Sequence, residues 1–269
     1  MTYYIVDVFT DSVFSGGPTA VFVMEEWLPE AVMQGIAMEN GFSETAFAVP
    51  EGEGYRLRWF TPDAEIDLCG YATLAAGYVI MAHYQPAAVQ VRFRTLSGVL
   101  TVSRQGELYA MDLPALRPEP YALTPRMEEA LGAVPAAVYK RRDLTFLFDS
   151  EEQVRSLRPD LEKLKQFPEG LGVFVTAPSS DPRYDFVSRA FWPKMGIGED
   201  PVCGAAHCNL TPLWSERLGK KRMVAHQISR RGGVFTVEDR GERVMIAGKV
   251  ALFATGDLAE TVYKKETAI

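Results

Sequence analysis

Cysteine and histidine are scarce in this sequence, with three residues of each among 269. A small, odd number of cysteines excludes a disulfide framework and indicates reduced thiols. His83, His207 and His226 lack the clustered spacing of a zinc site, so we expect no metal. The glycine pair Gly16-Gly17 has neither the further glycines nor the lysine of a nucleotide-binding loop.

An excess of positive charge is also missing. The formal net charge is −7, whereas a nucleic-acid-binding protein needs a basic surface against the phosphates. The longest apolar stretch, residues 72–82, is too short to cross a bilayer and is interrupted by Gly77 and Tyr78. The opening residues lack the basic segment of a targeting signal. We therefore expect a cytoplasmic protein with no nucleic-acid or membrane partner.

Predicted strands outnumber predicted helices. Apolar segments at residues 3–9, 20–24, 45–49 and 55–60 have the composition of strands. One helix is predicted from Pro29, as its first residue, to Asn40, with Gly41 as its stop. Residues 72–82 are apolar on every side and rich in alanine, which predicts a buried helix packed closely by sheet. The fold class is therefore α+β.

The pattern is repeated in the second half of the chain. Residues 172–178 resemble residues 44–50, and the segment around Cys203-Gly204 resembles the one around Cys69-Gly70. A duplicated unit of roughly a hundred residues suits two paired lobes rather than a solenoid. We place the first lobe at residues 1–117, with 255–269 as a candidate addition, and the second at 118–254. Prolines at positions 118 and 120 predict a loose linker, and the segment 243–253 is a candidate strand that rejoins the first lobe.

Both Cys-Gly pairs are predicted at helix N-termini. Free N–H groups and the helix dipole at such a site lower the pKa of a thiol and bind carboxylates. Cys69 and Cys203 are thus candidate proton-transfer thiols, although small buried inert cysteines are the alternative. His207 lies on the same helical face as Cys203, either as its base or as an ordinary buried histidine.

Two carboxylates are further candidates. Glu44 is flanked by apolar residues where a strand begins, so it is either an exposed charge at the strand edge or a desolvated base with a raised pKa. Asp200 precedes the second helix, where it is either an N-cap or a catalytic group.

These segments together resemble the phenazine-biosynthesis PhzF-like family, which shares its fold with diaminopimelate epimerase and proline racemase. The resemblance extends almost from end to end, through residues 6–10, 16–21, 42–47, 58–62, 67–75, 198–208 and 227–233. It implies two pseudo-symmetric lobes, each a curled, mostly antiparallel sheet around a central helix, with the active site in the cleft between them. It also implies an isomerase without metal or other cofactor, and a homodimer.

The resemblance carries roles to particular residues. Glu44 matches the glutamate that shuttles a proton between carbons, and Asp200 matches an aspartate of the cleft. Three positions depart from the family pattern: Tyr71 replaces histidine, Ala205 replaces serine and Gly17 replaces asparagine. Tyr71 is a poor base at neutral pH, and Ala205 has no hydroxyl.

We therefore expect an isomerase of a small carboxylate metabolite, with Glu44 as its acid/base group and Asp200 orienting the proton or a substrate amine. Substrate contacts are expected from Gly70, Tyr71, Gly204 and Ala205. The first alternative is a two-cysteine racemase or epimerase that uses Cys69 and Cys203. The second is a scaffold without catalysis that binds a small anion or a protein partner.

Overall fold

The computed structural model describes residues 1–263, and the chain divides into two compact units. The first unit comprises Met1–Asp112 and the described residues from Gly248 onward, and the second comprises Leu113–Ala247. Of the segment 255–269 that the sequence offers as an addition to the first lobe, residues 264–269 lie outside the described part.

Strands form most of the regular structure, in agreement with the predicted α+β class. The strands are β1 (Thr2–Val8), β2 (Gly17–Val23), β3 (Thr45–Glu51), β4 (Gly54–Phe60), β5 (Glu65–Ile66), β6 (Gln90–Thr95), β7 (Gly98–Gln105), β8 (Leu108–Pro114), β9 (Glu119–Tyr121), β10 (Ala137–Lys140), β11 (Leu144–Leu147), β12 (Val173–Pro178), β13 (Phe186–Trp192), β14 (Ile197–Asp200), β15 (Arg222–Gln227), β16 (Gly233–Asp239), β17 (Arg243–Gly248) and β18 (Val250–Asp257). The helices are α1 (Glu30–Asn40), α2 (Gly70–Val79), α3 (Pro125–Leu131), α4 (Glu151–Ser156), α5 (Leu161–Lys165), α6 (Gly204–Leu218) and α7 (Glu260–Tyr263). None of the helices in residues 1–263 combines the length and the apolar character that a membrane span requires.

The sheet of the first unit contains both antiparallel and parallel strand pairs. Strand β1 pairs antiparallel with β18 and β2, and β2 runs parallel to β3. Strand β4 pairs antiparallel with β3 and β5 and runs parallel to β6, from which β7 and β8 continue antiparallel. The result is a mostly antiparallel sheet, in which the two parallel pairs are each connected through a helix.

The second unit repeats this scheme strand for strand. Strand β10 pairs antiparallel with β9 and β11, and β11 runs parallel to β12. Strand β13 pairs antiparallel with β12 and β14 and runs parallel to β15, from which β16 and β17 continue antiparallel. The predicted duplication is therefore confirmed at the level of topology, and β4, β6 and α2 correspond to β13, β15 and α6.

Each unit has one helix buried by its sheet. Helix α2 packs against β1, β2, β3 and β7, and nearly all its residues are buried, as its all-round apolar composition predicts. Helix α6 packs against β15 and β16. It contains Pro212, which has no N–H for the carbonyl of Cys208. Leu116 supplies the missing donor, with 2.9 Å between its N and the Cys208 oxygen.

The structure corrects three details of the sequence-based fold. Pro29 is the N-cap of α1 and not its first helical residue, because its ψ of 139° is extended. Residues 119–121 of the predicted linker form β9 at the edge of the second unit, where Pro120 needs no N–H for the ladder. The segment 243–253 is two strands that separate at Lys249, and the second of them, β18, pairs with β1 of the first unit.

Gly77 is the point of closest approach between α2 and the sheet. A Cβ atom there would lie 2.6 Å from both Cβ and Cγ1 of Val102. We expect Gly77→Ala to lower the free energy of unfolding by about 1–3 kcal/mol, the usual cost of overpacking. Gly35 in α1 is the matched control, because a Cβ there meets nothing within 4 Å. Gly35→Ala should raise stability by about 0.5–1 kcal/mol in the same urea titration, and equal effects at both sites would contradict this packing.

Candidate active site

Glu44 directly precedes strand β3 and continues its alternation of sides. Phe47 and Val49 point into the apolar cluster beneath α1, so Glu44 and Ala46 face the opposite side of the sheet, toward α2. Tyr71, in the first turn of α2, donates a hydrogen bond from its hydroxyl to Oε2 of Glu44. Both side chains are buried, with 7% of Glu44 and 8% of Tyr71 exposed. The structure thus brings together two of the predicted site residues.

Burial governs the acidity of Glu44. Loss of water around the carboxylate raises the pKa of Glu44 above its usual 4.5, and the Tyr71 hydrogen bond offsets part of this rise. The direction agrees with the desolvated base expected from the sequence, and the strand-edge alternative is wrong. A carboxyl group with a raised pKa exchanges protons more readily near neutral pH, which suits general acid–base chemistry.

The two Cys-Gly pairs occupy the same local position in the two units. Cys69 is the N-cap of α2 with φ −138° and ψ 110°, and Cys203 is the N-cap of α6 with φ −126° and ψ 97°. The fourth residue of each helix bonds back to the N-cap carbonyl. Thr73 Oγ1 lies 2.5 Å from the Cys69 oxygen, and His207 Nδ1 lies 2.8 Å from the Cys203 oxygen. The predicted helix starts at Gly70 and Gly204 are confirmed.

Cys203 does not have the acidic thiol that its helix terminus predicts. Burial, followed by the charge of Asp200, raises the pKa of Cys203 well above its usual range. The N–H of Ala206, 3.3 Å from Sγ, and the side chain of Trp192 act in the opposite direction but do not reverse the shift. Burial also raises the pKa of Cys208 to about 12. The lowered thiol pKa that the helix start predicts is wrong for Cys203, because desolvation outweighs the helix dipole.

We expect alkylation at these two thiols to be slow in the native protein. Iodoacetamide reacts with thiolates, so at pH 7.5 Cys203 and Cys208 should react at least roughly 100-fold more slowly than a free cysteine. Peptide mass spectrometry measures the two sites separately, and urea-unfolded protein is the control. Fast modification of native Cys203 would contradict a protonated thiol.

His207 does not act as a base toward the neighbouring thiol. Its Nδ1 is bonded to the carbonyl of Cys203, and its ring stacks on Phe235 with 3.8 Å between ring centroids. Burial lowers the pKa of His207 to about 4, so the ring is neutral at physiological pH. The structure therefore supports the ordinary buried histidine rather than a Cys–His pair.

Asp200 ends β14 and is partly buried. Its Oδ1 accepts a hydrogen bond from the N–H of Val202 at 3.1 Å. Asp200 is not the N-cap of α6, because Cys203 occupies that position. Its carboxylate therefore belongs to the turn that leads into the helix.

The first turn of α6 contains the two residues, Gly204 and Ala205, that the sequence predicts to contact the substrate. The first N–H groups of a helix have no acceptor four residues earlier. Ala206 uses its N–H on Cys203 Sγ, whereas no side chain within residues 1–263 accepts from Gly204 or Ala205. Gly204 has open space where a Cβ would be. The amides of Gly204 and Ala205 therefore have no side-chain acceptor among the described residues, and their contact with substrate stays a prediction.

Sequence reasoning missed Gln227 and Trp192. Gln227 bonds both Asp200 and Cys203 through its amide, and the side chain of Trp192 acts to lower the pKa of the Cys203 thiol. Gln227 lies within a segment that carries the family resemblance, but its partners are 24 and 27 residues away. No local pattern predicts such contacts. Within the described chain, no group of three or more histidine, cysteine or acidic side chains is arranged to hold a metal ion.

The known proteins that this chain resembles share one fold. An uncharacterized isomerase of Pseudomonas aeruginosa is 48% identical over 258 residues, which cover 96% of this chain and 98% of the relative. A PhzF-family crystal structure from Enterococcus faecalis has a TM-score of 0.93 at 49% identity and covers 96% of this chain and 98% of its own. A hydroxyproline epimerase from Agrobacterium vitis shares the fold, with a TM-score of 0.59 at 11% identity and coverage of 98% and 96%.

The fold and these likenesses define an enzyme of the isomerase class. The family model for phenazine biosynthesis-like proteins, PhzC–PhzF, matches residues 6–256. The chain belongs to this family.

Proposed function

We propose that the protein is a cofactor-independent isomerase that moves a proton on a small carboxylate metabolite, with Glu44 as its acid/base group. The observation that carries the proposal is a buried carboxyl group, with a raised pKa, that is oriented by a hydrogen bond from Tyr71. Proton transfer requires a group within reach of its proton and with a pKa near the working pH.

The reaction conserves every atom of the substrate. The ionised carboxylate of Glu44 removes a proton from one carbon, and the electron pair of the broken C–H bond shifts into the neighbouring unsaturated system. The protonated carboxyl then returns the proton to a different carbon, so a double bond changes place and Glu44 regains its charge. No oxidant or reductant is consumed.

Backbone amides bind the substrate anion in this proposal. Gly70 begins α2, and Gly204 and Ala205 begin α6, where N–H groups and the helix dipole favour a carboxylate. Asp200 orients a substrate amine or the migrating proton. The N–H of Val202 bonds Oδ1 of Asp200 and so helps to hold the carboxylate in place.

Solvent exchange tests the proposal even before the substrate is identified. The protein is incubated in D2O with an extract of small metabolites, and mass spectrometry with chromatography detects compounds that gain deuterium or become isomers. Protein-dependent deuterium gain or isomerisation is expected. If no compound changes mass or retention time, the proposed activity is wrong.

A two-cysteine racemase remains the second candidate, because Cys69 and Cys203 have nearly matching backbone conformations at the two helix starts. Such a mechanism needs each thiol to alternate between acid and base. In the same assay Cys203→Ser should leave isomerisation intact if Glu44 transfers the proton. Loss of turnover in Cys203→Ser, with full activity in Glu44→Gln, would establish the cysteine mechanism instead.

We further propose that the protein works in the cytoplasm as a homodimer. All three cysteines are free and buried, which suits a reducing compartment. Phe14 forms an exposed aromatic pair with Phe253 of β18, which suits contact with a second copy. Sedimentation velocity measures the oligomeric state, and a monomer would contradict the proposed homodimer.

A further inference from the structure

We propose that Gln227 is a positioning residue that fixes the turn carrying Asp200 and Cys203. The expected effect of Gln227 on kcat rests on the proposed function, whereas its effect on the structure of the turn does not. Gln227 ends β15 and is fully buried, with 0% of its surface exposed. A buried primary amide is costly unless its donor and its acceptor are both used.

Gln227 uses both ends of its amide on the turn. Its Nε2 donates to the carbonyl of Asp200 at 2.6 Å, and its Oε1 accepts from the N–H of Cys203 at 2.8 Å. The side chain therefore bridges the residue before the turn and the residue that caps α6. The Gln227 bond holds the Asp200 backbone at its carbonyl, and the N–H of Val202 holds the carboxylate through Oδ1 at 3.1 Å, so the bridge and the turn together position the acid.

The duplicated fold identifies the residue that corresponds to Gln227 in the first unit. In the second unit β13 pairs with β15 in the register Ser188–Gln227. Extending the β4–β6 register beyond Arg56–Arg94 by one residue gives Thr95 as the equivalent position. Thr95 bonds instead within its own turn, donating to the carbonyl of Gly98 at 2.8 Å. Its side chain is too short to form the same bridge.

A neighbouring serine provides the contrast, because it is present in both units. Ser229 donates to the carbonyl of Pro201 at 2.6 Å, and Ser97 donates to the carbonyl of Asp67 at 2.9 Å. Each acceptor lies two residues before the N-cap cysteine of its helix. The serine bond is thus a feature of the repeated scaffold, whereas the glutamine bridge belongs to the unit that contains Asp200.

The bridge also determines which amides remain for a ligand. Gln227 occupies the N–H of Cys203, and the Cys203 thiol occupies that of Ala206. Among residues 1–263, no side chain accepts from the amides of Gly204 and Ala205, which lie between them. The structure therefore assigns Gln227 two linked tasks within the turn: holding the backbone of Asp200 and removing the N–H of Cys203 from the donors that a ligand could use.

Three variants test this assignment. Gln227→Thr copies the first unit, Gln227→Met keeps the volume without hydrogen bonds, and Ser229→Ala is the matched scaffold control. With the compound identified by the D2O assay, both Gln227 variants should lose roughly 10–100-fold in kcat with a change in KM below about threefold, since misplaced groups slow chemistry more than binding. Ser229→Ala should stay within about threefold of the wild type in both constants.

The second readout needs no substrate. Iodoacetamide should alkylate Cys203 roughly tenfold or more faster in Gln227→Met than in the wild type, because the released turn exposes the thiol, and Ser229→Ala should show little change. If kcat and alkylation change equally in Gln227→Met and Ser229→Ala, in step with their melting temperatures, Gln227 is only structural and the proposal is overturned. If Glu44→Gln stays active, the proposed function fails, and the alkylation comparison still decides the role of Gln227.

Discussion

Glu44→Gln should lower the rate of the protein-dependent isomerisation by roughly 10²–10⁴-fold, the usual contribution of general acid–base catalysis. Glutamine keeps the shape of the side chain but cannot accept and return a proton. The measurement is the initial rate of isomerisation, or of deuterium gain where the proton exchanges with solvent, for the compound identified in the D2O assay. Glu39→Gln is the matched control, because Glu39 is an exposed carboxylate in the same unit. An undiminished rate of isomerisation or labelling in Glu44→Gln would remove Glu44 from the mechanism.

The free energy of unfolding distinguishes a loss of activity in Glu44→Gln from a loss of folded protein. Burial raises the pKa of Glu44 in the folded state, so the folded protein holds that proton more tightly than the unfolded chain does. The stabilising contribution is fully present below the unfolded pKa, near 4.5, and is lost as the pH rises through the folded pKa. At pH 8 the buried charge therefore costs stability, and Glu44→Gln should be at least as stable as the wild type in a urea titration. Its advantage should shrink as the pH is lowered toward 4.5.

The features that were predictable from the sequence are those with a local or repeated signal. The all-apolar segment that became α2 and the two Cys-Gly pairs at helix starts depend on residues close together in the chain. Repetition of these segments was enough to predict a duplicated α+β fold. Even there, the end of a helix or strand depends on single dihedral angles, as at Pro29, whose extended ψ makes it a cap.

The features that were not predictable depend on contacts between distant residues. Tyr71 and Glu44 are 27 residues apart and meet because β3 packs against α2. The pKa of Cys203 is set by burial and by Asp200, whereas the sequence shows only the helix terminus, which acts in the opposite direction. Gln227 reaches Asp200 because β15 and β14 are both neighbours of β13. A helix start can be inferred from its own residues. The groups that surround it can be identified only when the strand pairing of the sheet is known.

Tyr71→Phe should shift the pH dependence of activity. The hydrogen bond from Tyr71 lowers the pKa of Glu44, so its removal raises that pKa further and leaves less of the ionised base at acidic pH. The acidic limb of the kcat/KM profile should therefore move to higher pH. At pH 6 the rate should fall roughly 10–100-fold, because a hydrogen bond to a charged group contributes about 1.5–3 kcal/mol. The profile from pH 5 to 9 measures both effects.

The alkaline end of the same profile separates pKa tuning from proton transfer by Tyr71 itself. If Tyr71 only tunes and orients Glu44, the Tyr71→Phe rate should recover toward the wild-type value at pH 9, where Glu44 is ionised in both proteins. Tyr78→Phe is the control on the same helix, since Tyr78 contacts the rings of His83 and Tyr109 instead. A Tyr71→Phe rate that stays low at every pH would mean that the phenol takes part in the proton transfer. An unchanged profile would mean that the observed hydrogen bond has no influence on Glu44.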